Sequence, residues 1–212
     1  IGNTLRRVLL SSIQGPAITK IKIEGVMHEF STIPGVTEDV TEIVLNLKQL
    51  KLKMSTYEKQ EVTLSVSGEG QVKASDIQLT QDLEFIDPDQ YIATLSDGAK
   101  LDMALTIEMG RGYVPVEARE ESSDYSIGEI QLDAIYSPVT KVNYGVTSAR
   151  VGRRTDFEKL TLEIWTNGTI TPEDALAYSS KIIKEQVSVF INFNEEEIDS
   201  IPVVEDIVEE IT

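Results

Sequence analysis

Apolar residues at Leu5, Val8 and Leu9, continued by Ser12, follow i, i+3, i+4, i+7 spacing and predict an opening helix. At ~100° per residue, Asn3, Arg6, Arg7 and Leu10 fall on its other side. A leucine beside two arginines is a mixture enriched at protein interfaces, although a stray exposed leucine is equally ordinary. Gly15-Pro16 is expected to end the helix. Thr19, Ile21 and Ile23 then alternate with Lys20, Lys22 and Glu24 as a half-buried strand, and a short second strand is expected around Met27–Phe30. After Pro34-Gly35, Thr37 is a candidate cap for a helix with Glu38 and Asp39 in its first turn, where the dipole favours acids. Val36, Val40, Ile43, Val44 and Leu47 form its apolar stripe, and Lys48 suits its C-terminal end.

The middle of the chain is strand-rich. Val62, Leu64 and Val66 alternate with polar residues. Leu101, Met103, Leu105, Ile107 and Met109 do so most clearly, so one face of that strand is buried and one wet. Gly110 to Pro115 reads as a turn and the acidic stretch Glu117 to Asp124 as a loop, with strand signal again at Ile130–Tyr136 and Val142–Val146.

Leu160, Leu162 and Ile164 predict another strand, and Asn167-Gly168 turns the chain. Thr171 is the expected N-cap of a final helix, with Pro172 at its first position and Asp174 completing a capping box. From Pro172 to Phe193 the apolar stripe holds Ala175, Tyr178, Ser179, Ile182, Ile183, Gln186, Val189, Phe190 and Phe193. It spans about 160°, wider than the ~100° that a surface helix needs to face its own core. The excess width points to burial on two sides, by the helix's own domain and by a partner. A deep core position would explain it too, but Lys181, Lys184 and Glu185 keep the opposite side wet, and a helix–helix dimer contact is the preferred reading.

Composition narrows the classes. The 212 residues are 41% hydrophobic and 26% charged, as in ordinary globular proteins. With no cysteine there are no disulfides, thiolate metal sites or cysteine nucleophile, which fits a reducing cytoplasm. No apolar run has the length of a membrane span. The net charge of −17 argues against a large nucleic-acid footprint. Residues 194–212 alone hold eight acids and no Lys or Arg, and read as an acidic linker or tail. The chain opens with Ile1 inside a helical pattern, so it reads as a fragment without its natural N-terminal segment.

Candidate chemistry is sparse. His28 is the only histidine, which excludes a multi-histidine metal site. No nucleophile-elbow pattern accompanies it, and a surface or structural histidine outweighs a catalytic one. With 36 acids, a carboxylate pair or magnesium site has little discriminating value. Gly110-Arg111-Gly112 lacks the following helix of a phosphate cradle. It is either a plain turn or a loop presenting Arg111 and Tyr113 to a partner. Arg150, Arg153 and Arg154 make too small a cluster for duplex binding, and Asp156 and Glu158 dilute it.

Several short strings nonetheless carry a resemblance. They are Gly2-Asn3, Leu5-Arg6-Arg7, Leu9-Leu10-Ser11-Ser12, His28-Glu29-Phe30-Ser31-Thr32, Glu38-Asp39-Val40, Leu45-Asn46-Leu47-Lys48 and Gly110 to Pro115. Asp133-Ala134, Tyr136-Ser137-Pro138-Val139, Arg154-Thr155-Asp156, Lys159-Leu160, Thr166 to Ile170 and Pro172-Glu173 follow in order. Together they resemble the assembly region of the bacterial RNA polymerase α-subunit family over residues 1–193.

The resemblance implies an α+β fold: a discontinuous dimerisation domain with two long helices packed on a sheet, interrupted by an inserted, mostly-β domain. The expected parts are residues 1–14 with 139–193, an insert at 15–138, and the tail at 194–212. It implies a non-catalytic scaffold that homodimerises and recruits the β and β′ catalytic subunits, with no cofactor and no metal. By motif position, Arg7 with Leu10, Asn3 and Arg6 are expected to meet β, and Lys48 with Leu132 to meet β′. Leu5, Leu9, Ile182, Ile183, Gln186, Val189 and Phe190 are the expected dimer contacts. An arginine suits such a contact because its planar fork holds carboxylates bidentately. The family's N-terminal strands and its DNA-binding C-terminal domain have no counterpart here, so direct DNA binding is not expected. A competing class is a small acidic enzyme working through carboxylates and Arg111. A nucleic-acid-binding module would show steeply salt-dependent affinity, against which the charge already counts.

Overall fold

A computed structural model describes residues 1–119 and 128–191. The elements run α1 (Gly2–Ser11), β1 (Gln14–Ile23), α2 (Val40–Lys48), β2 (Leu52–Met54), β3 (Gln60–Ser67), β4 (Gly70–Lys73) and β5 (Ile77–Gln78). There follow β6 (Leu83–Phe85), β7 (Tyr91–Leu95), β8 (Lys100–Arg111), β9 (Tyr113–Val114), β10 (Glu129–Gln131) and β11 (Ala134–Ile135). The last elements are β12 (Val139–Val151), β13 (Arg154–Thr166) and α3 (Pro172–Ser188). The fold is thus α+β, with strands predominating.

The alternation of β8 works as expected. Leu101, Met103, Leu105 and Ile107 are buried, and the strand lies at the centre of an antiparallel sheet in the order β10-β1-β8-β3-β5. Val62 and Leu64 of β3 join the same core, as do Val40, Ile43, Val44 and Leu47 of α2. A second core is smaller. Leu9 and Ile13 meet Val139, Val142 and Ala175, with Leu10, Leu162, Ile164, Ile170 and Ile182 packed against them. The larger core draws on residues from Ile18 to Leu132, whereas the smaller one joins the two ends of the chain.

Five local expectations are corrected. The opening helix has 10 residues, so only α3, with 17, is long. The helix ends at Ser11, before Gly15-Pro16, which lies inside β1. Proline is admissible there because β10 pairs only with Lys20 to Lys22, which leaves Pro16 on an unpaired edge. Met27–Phe30 is not a strand. Hydrogen bonds from Val26 N to Ile23 O and from Ser31 N to His28 O fold it into turns. Asp39, not Thr37, caps α2. Its Oδ1 accepts from Glu42 N at 2.7 Å while the Glu42 carboxylate accepts from Asp39 N. Thr37 is engaged elsewhere, donating its N–H to Thr94 O of β7. Finally, Gly110 and Arg111 complete β8, so the turn expected from Gly110 onward narrows to Gly112, which stands at φ +63° before β9.

Thr171 does cap α3, accepting from Asp174 N at 3.1 Å with Pro172 in the first turn. Asp174 accepts from the Thr171 hydroxyl instead of closing a full box. Phe193, the acidic tail and most of the stretch from Glu117 to Asp124 lie outside the described residues.

Candidate functional site

Helix α1 rests on the β12–β13 hairpin at its N-terminal end. A Cβ on Gly2 would stand 2.8 Å from Tyr144 Cδ2 and 2.9 Å from Leu160 Cδ1, so glycine lets the helix settle this close. Its buried face is Gly2, Leu5 and Leu9. Asn3, Arg6 and Arg7 point to solvent, and among the described residues neither arginine makes an ion pair. Leu10 is half-buried against the smaller core, so it borders the arginines without standing free.

The expected dimer residues divide. Leu9 is 0% exposed and Leu5 nearly as deep, enclosed by their own chain. Within one copy they underpin α1 from beneath, where direct dimer contacts were expected from them. On α3, Ala175 and Ser179 are buried and Ile182 packs on the smaller core. Ile183 is half-buried and Gln186 exposed. The helix stops at Ser188, short of the Phe193 expected from the pattern, and in the turn that follows Val189 is 80% and Phe190 82% exposed. A stripe too wide for one core is thus met on one side only.

Lys48 and the segment at Leu132 are brought together. Lys48 Nζ lies 3.6 Å from Asp133 Oδ2, and Asp133 Oδ1 accepts from Val116 N at 3.0 Å. Leu132 itself is 2% exposed in the larger core, with its carbonyl accepting from Arg119. Its side chain therefore has little surface to give, whereas Asp133 is partly exposed and Ile135 is 64% exposed.

Three apolar residues of the expected strands are exposed, which the strand pattern did not indicate. Tyr144, Val146 and Leu160 share the hairpin face that carries α1, Val146 pairing opposite Leu160. The signal was present in the even-numbered alternation from Val142 to Val146, but alternation alone cannot say how far a helix covers a strand. The β12–β13 sheet has only these two strands among the described residues, and both outer edges are open to pairing.

The remaining candidate groups have local duties. His28 is exposed, its Nδ1 3.1 Å from Ser31 Oγ. Gln14, with its amide oxygen turned to Arg111, accepts from Nε at 3.2 Å across the strand pair. Tyr113 is 61% exposed. Arg154 pairs with Asp156 at 2.9 Å and stacks over Phe157, while Arg150 donates to Gly152 O. Burial pushes the Glu38 carboxyl up, yet hydrogen bonds from the Tyr91 hydroxyl and the Thr94 amide outweigh it and hold it below its ordinary value. That pairing ties the start of α2 to β7 and is structural. Among the described residues no group of three or more His, Asp or Glu could hold a metal ion, and no helix is long and apolar enough to cross a membrane.

The comparisons bear on this arrangement. Residues 21–137 match the RNA polymerase Rpb3/RpoA insert domain. Among curated proteins, the chain is 54% identical over 196 residues to the DNA-directed RNA polymerase subunit alpha of Geobacter metallireducens, covering 92% of this chain and 57% of that protein. Over 195 residues it is 55% identical to the proteins of the same name from Lawsonia intracellularis and Nitratidesulfovibrio vulgaris, covering 92% of this chain and 56% of each. The chain thus spans little more than half the length of these relatives.

Proposed function

The chain belongs to the RNA polymerase Rpb3/RpoA insert-domain family, and on that premise we propose that it is a non-catalytic assembly scaffold of a DNA-directed RNA polymerase in the cytoplasm. It pairs with a second copy and recruits the two large catalytic subunits, supplying no catalytic group, cofactor or metal of its own. Residues 1–14 with 139–193 form the dimerising part and residues 15–138 the insert.

One observation carries this reading. Just past α3, Val189 and Phe190 are 80% and 82% exposed, and α1 presents Arg6 and Arg7, neither of which makes an ion pair among the described residues. Exposed apolar surface of this kind marks protein contacts. Ile182, Ile183, Gln186, Val189 and Phe190 meet the second copy, and Leu5 and Leu9 set the helix geometry beneath. Arg7, with Arg6, Asn3 and the edge of Leu10, meets β. Lys48 with Asp133 forms the surface for β′. The carboxylate-enzyme alternative gains nothing from the relatives, all of which are named as polymerase α subunits.

Mixing the chain with purified β and sizing the product tests the reading. A stable complex is expected, and Arg7→Ala is expected to abolish it while leaving the dimer intact. A folded, dimeric chain that forms no complex with β would refute the scaffold role.

A further inference from the structure

Between the two cores lies a small third group, in which Ala17, Ala134 and Tyr136 pack together with Val114. Its centre is a notch. Gly15 of β1 and Gly110 of β8 are cross-strand partners, so two positions without side chains face each other. A Cβ on Gly110 would stand 2.5–2.7 Å from three carbons of the Tyr136 ring. A Cβ on Gly15 would run into the Tyr136 carbonyl oxygen. Tyr136 fills this space with its ring on one glycine and its backbone on the other, and is 6% exposed. Its N–H donates to Gly112 O at 2.8 Å.

The location matters more than the packing. The chain leaves the smaller core after Ile13 and enters the larger at Ile18, passing Gly15. It leaves the larger core after Leu132 and returns to the smaller at Val139, passing Tyr136. Both crossings meet in one notch. From there Pro138 O accepts from Asn167 N at 2.9 Å, which ties the crossing to the turn before α3.

We propose that Tyr136 is a positioning residue: seated in the Gly15–Gly110 notch, it clamps both chain crossings and holds the α1–α3 unit in one orientation to the five-stranded sheet. A ring closely packed on backbone has little freedom to slide, because protein interiors are as dense as organic crystals and respond to a single methylene. Resting on the assembly reading above, the clamp also fixes where the Arg7 surface stands relative to the Lys48–Asp133 surface, so that two large partners meet a preset geometry.

The chain contains no cysteine, so Ser67→Cys on the sheet and Ser180→Cys on α3, both exposed positions, can be spin-labelled in the 212-residue chain. Double electron–electron resonance on labelled chain diluted into excess unlabelled chain, so that a dimer carries one labelled copy, then reads the distance between the two units in the absence of β and β′. A narrow distribution is expected for the parent and for Tyr136→Phe, which keeps the ring. A shifted and widened one is expected for Tyr136→Leu and for Gly110→Ala, with circular dichroism unchanged. An unaltered narrow distribution in both folded variants would overturn the clamp. Loss of all structure in both would do so too, since Tyr136 would then be an ordinary core residue. Failure of the parent chain to bind β would count against the assembly reading instead, and the distances would still decide for or against the clamp.

Discussion

Lys48 Nζ stands 3.6 Å from Asp133 Oδ2, tethering the C-terminal end of α2 to the segment between β10 and β11. Both side chains remain partly open to water, at 28% and 40% exposure, so solvent screens the pair and its own stabilising effect is small. Lys48→Ala is expected to change unfolding stability in urea by less than about 1 kcal/mol. Capture of β′ by the dimer–β complex is expected to fall sharply, as read by co-sedimentation. A large stability loss with normal capture would place Lys48 in the fold and remove it from the interface.

Leu9 and Phe190 make opposite predictions although both were expected at the dimer contact. Leu9 is 0% exposed within its own chain, so Leu9→Ala opens a cavity and is expected to cost about 2–5 kcal/mol of folding stability. Phe190 is 82% exposed, so Phe190→Ala is expected to leave the fold of one copy intact and to weaken the dimer. Concentration-dependent sedimentation separates the two effects. Equal dimerisation in the parent and Phe190→Ala would show that the α3 end faces something other than a second copy.

That contrast marks how far the sequence was readable. The alternation of β3 and β8, the stripe of α2, and Thr171 with Pro172 at the start of α3 each depend on neighbours close in sequence, and each was visible in the residues. The Gly15–Gly110 notch depends on contacts with Tyr136, which for Gly15 lies far along the chain, whereas the Met27–Phe30 turns and the Asp39 cap rest on hydrogen bonds between residues three apart, and several neighbouring residues offered equally good local partners. A related limit separates Leu9 from Phe190. Periodicity says that a residue is apolar on one face, and it cannot say whether that face meets its own chain or another.

Glu38 gives the pH dependence a direction. Burial raises its pKa, but hydrogen bonds from Tyr91 and Thr94 prevail and the folded value lies below the ordinary one. A carboxylate with a lowered folded pKa contributes stability above its unfolded pKa, and that contribution is lost as pH falls through the folded value. Thermal unfolding followed from neutral pH into the acid range is therefore expected to show a smaller drop for Glu38→Gln than for the parent. The variant is also expected to be less stable at neutral pH, where the charged hydrogen bonds are missing. An identical acid response in both chains would mean that the Glu38–Tyr91–Thr94 bonds contribute nothing to folding.

The cap of α2 can be tested against the position that sequence spacing favoured. Asp39 accepts from Glu42 N at 2.7 Å, and the Glu42 carboxylate returns a bond to Asp39 N. Removing the Asp39 carboxylate orphans a backbone donor in the first turn, so Asp39→Ala is expected to cost about 1 kcal/mol. Thr37 is exposed and its side chain caps nothing, so Thr37→Ala is expected to stay within about 0.5 kcal/mol of the parent. The consequence extends along the helix, because a loosened first turn frays the element whose last turn holds Lys48 against Asp133. Hydrogen exchange at the amides of Ile43, Val44 and Leu47 is expected to quicken in Asp39→Ala and not in Thr37→Ala. Faster exchange in Thr37→Ala alone would return the cap to the earlier residue and detach Asp39 from the support of the Lys48 surface.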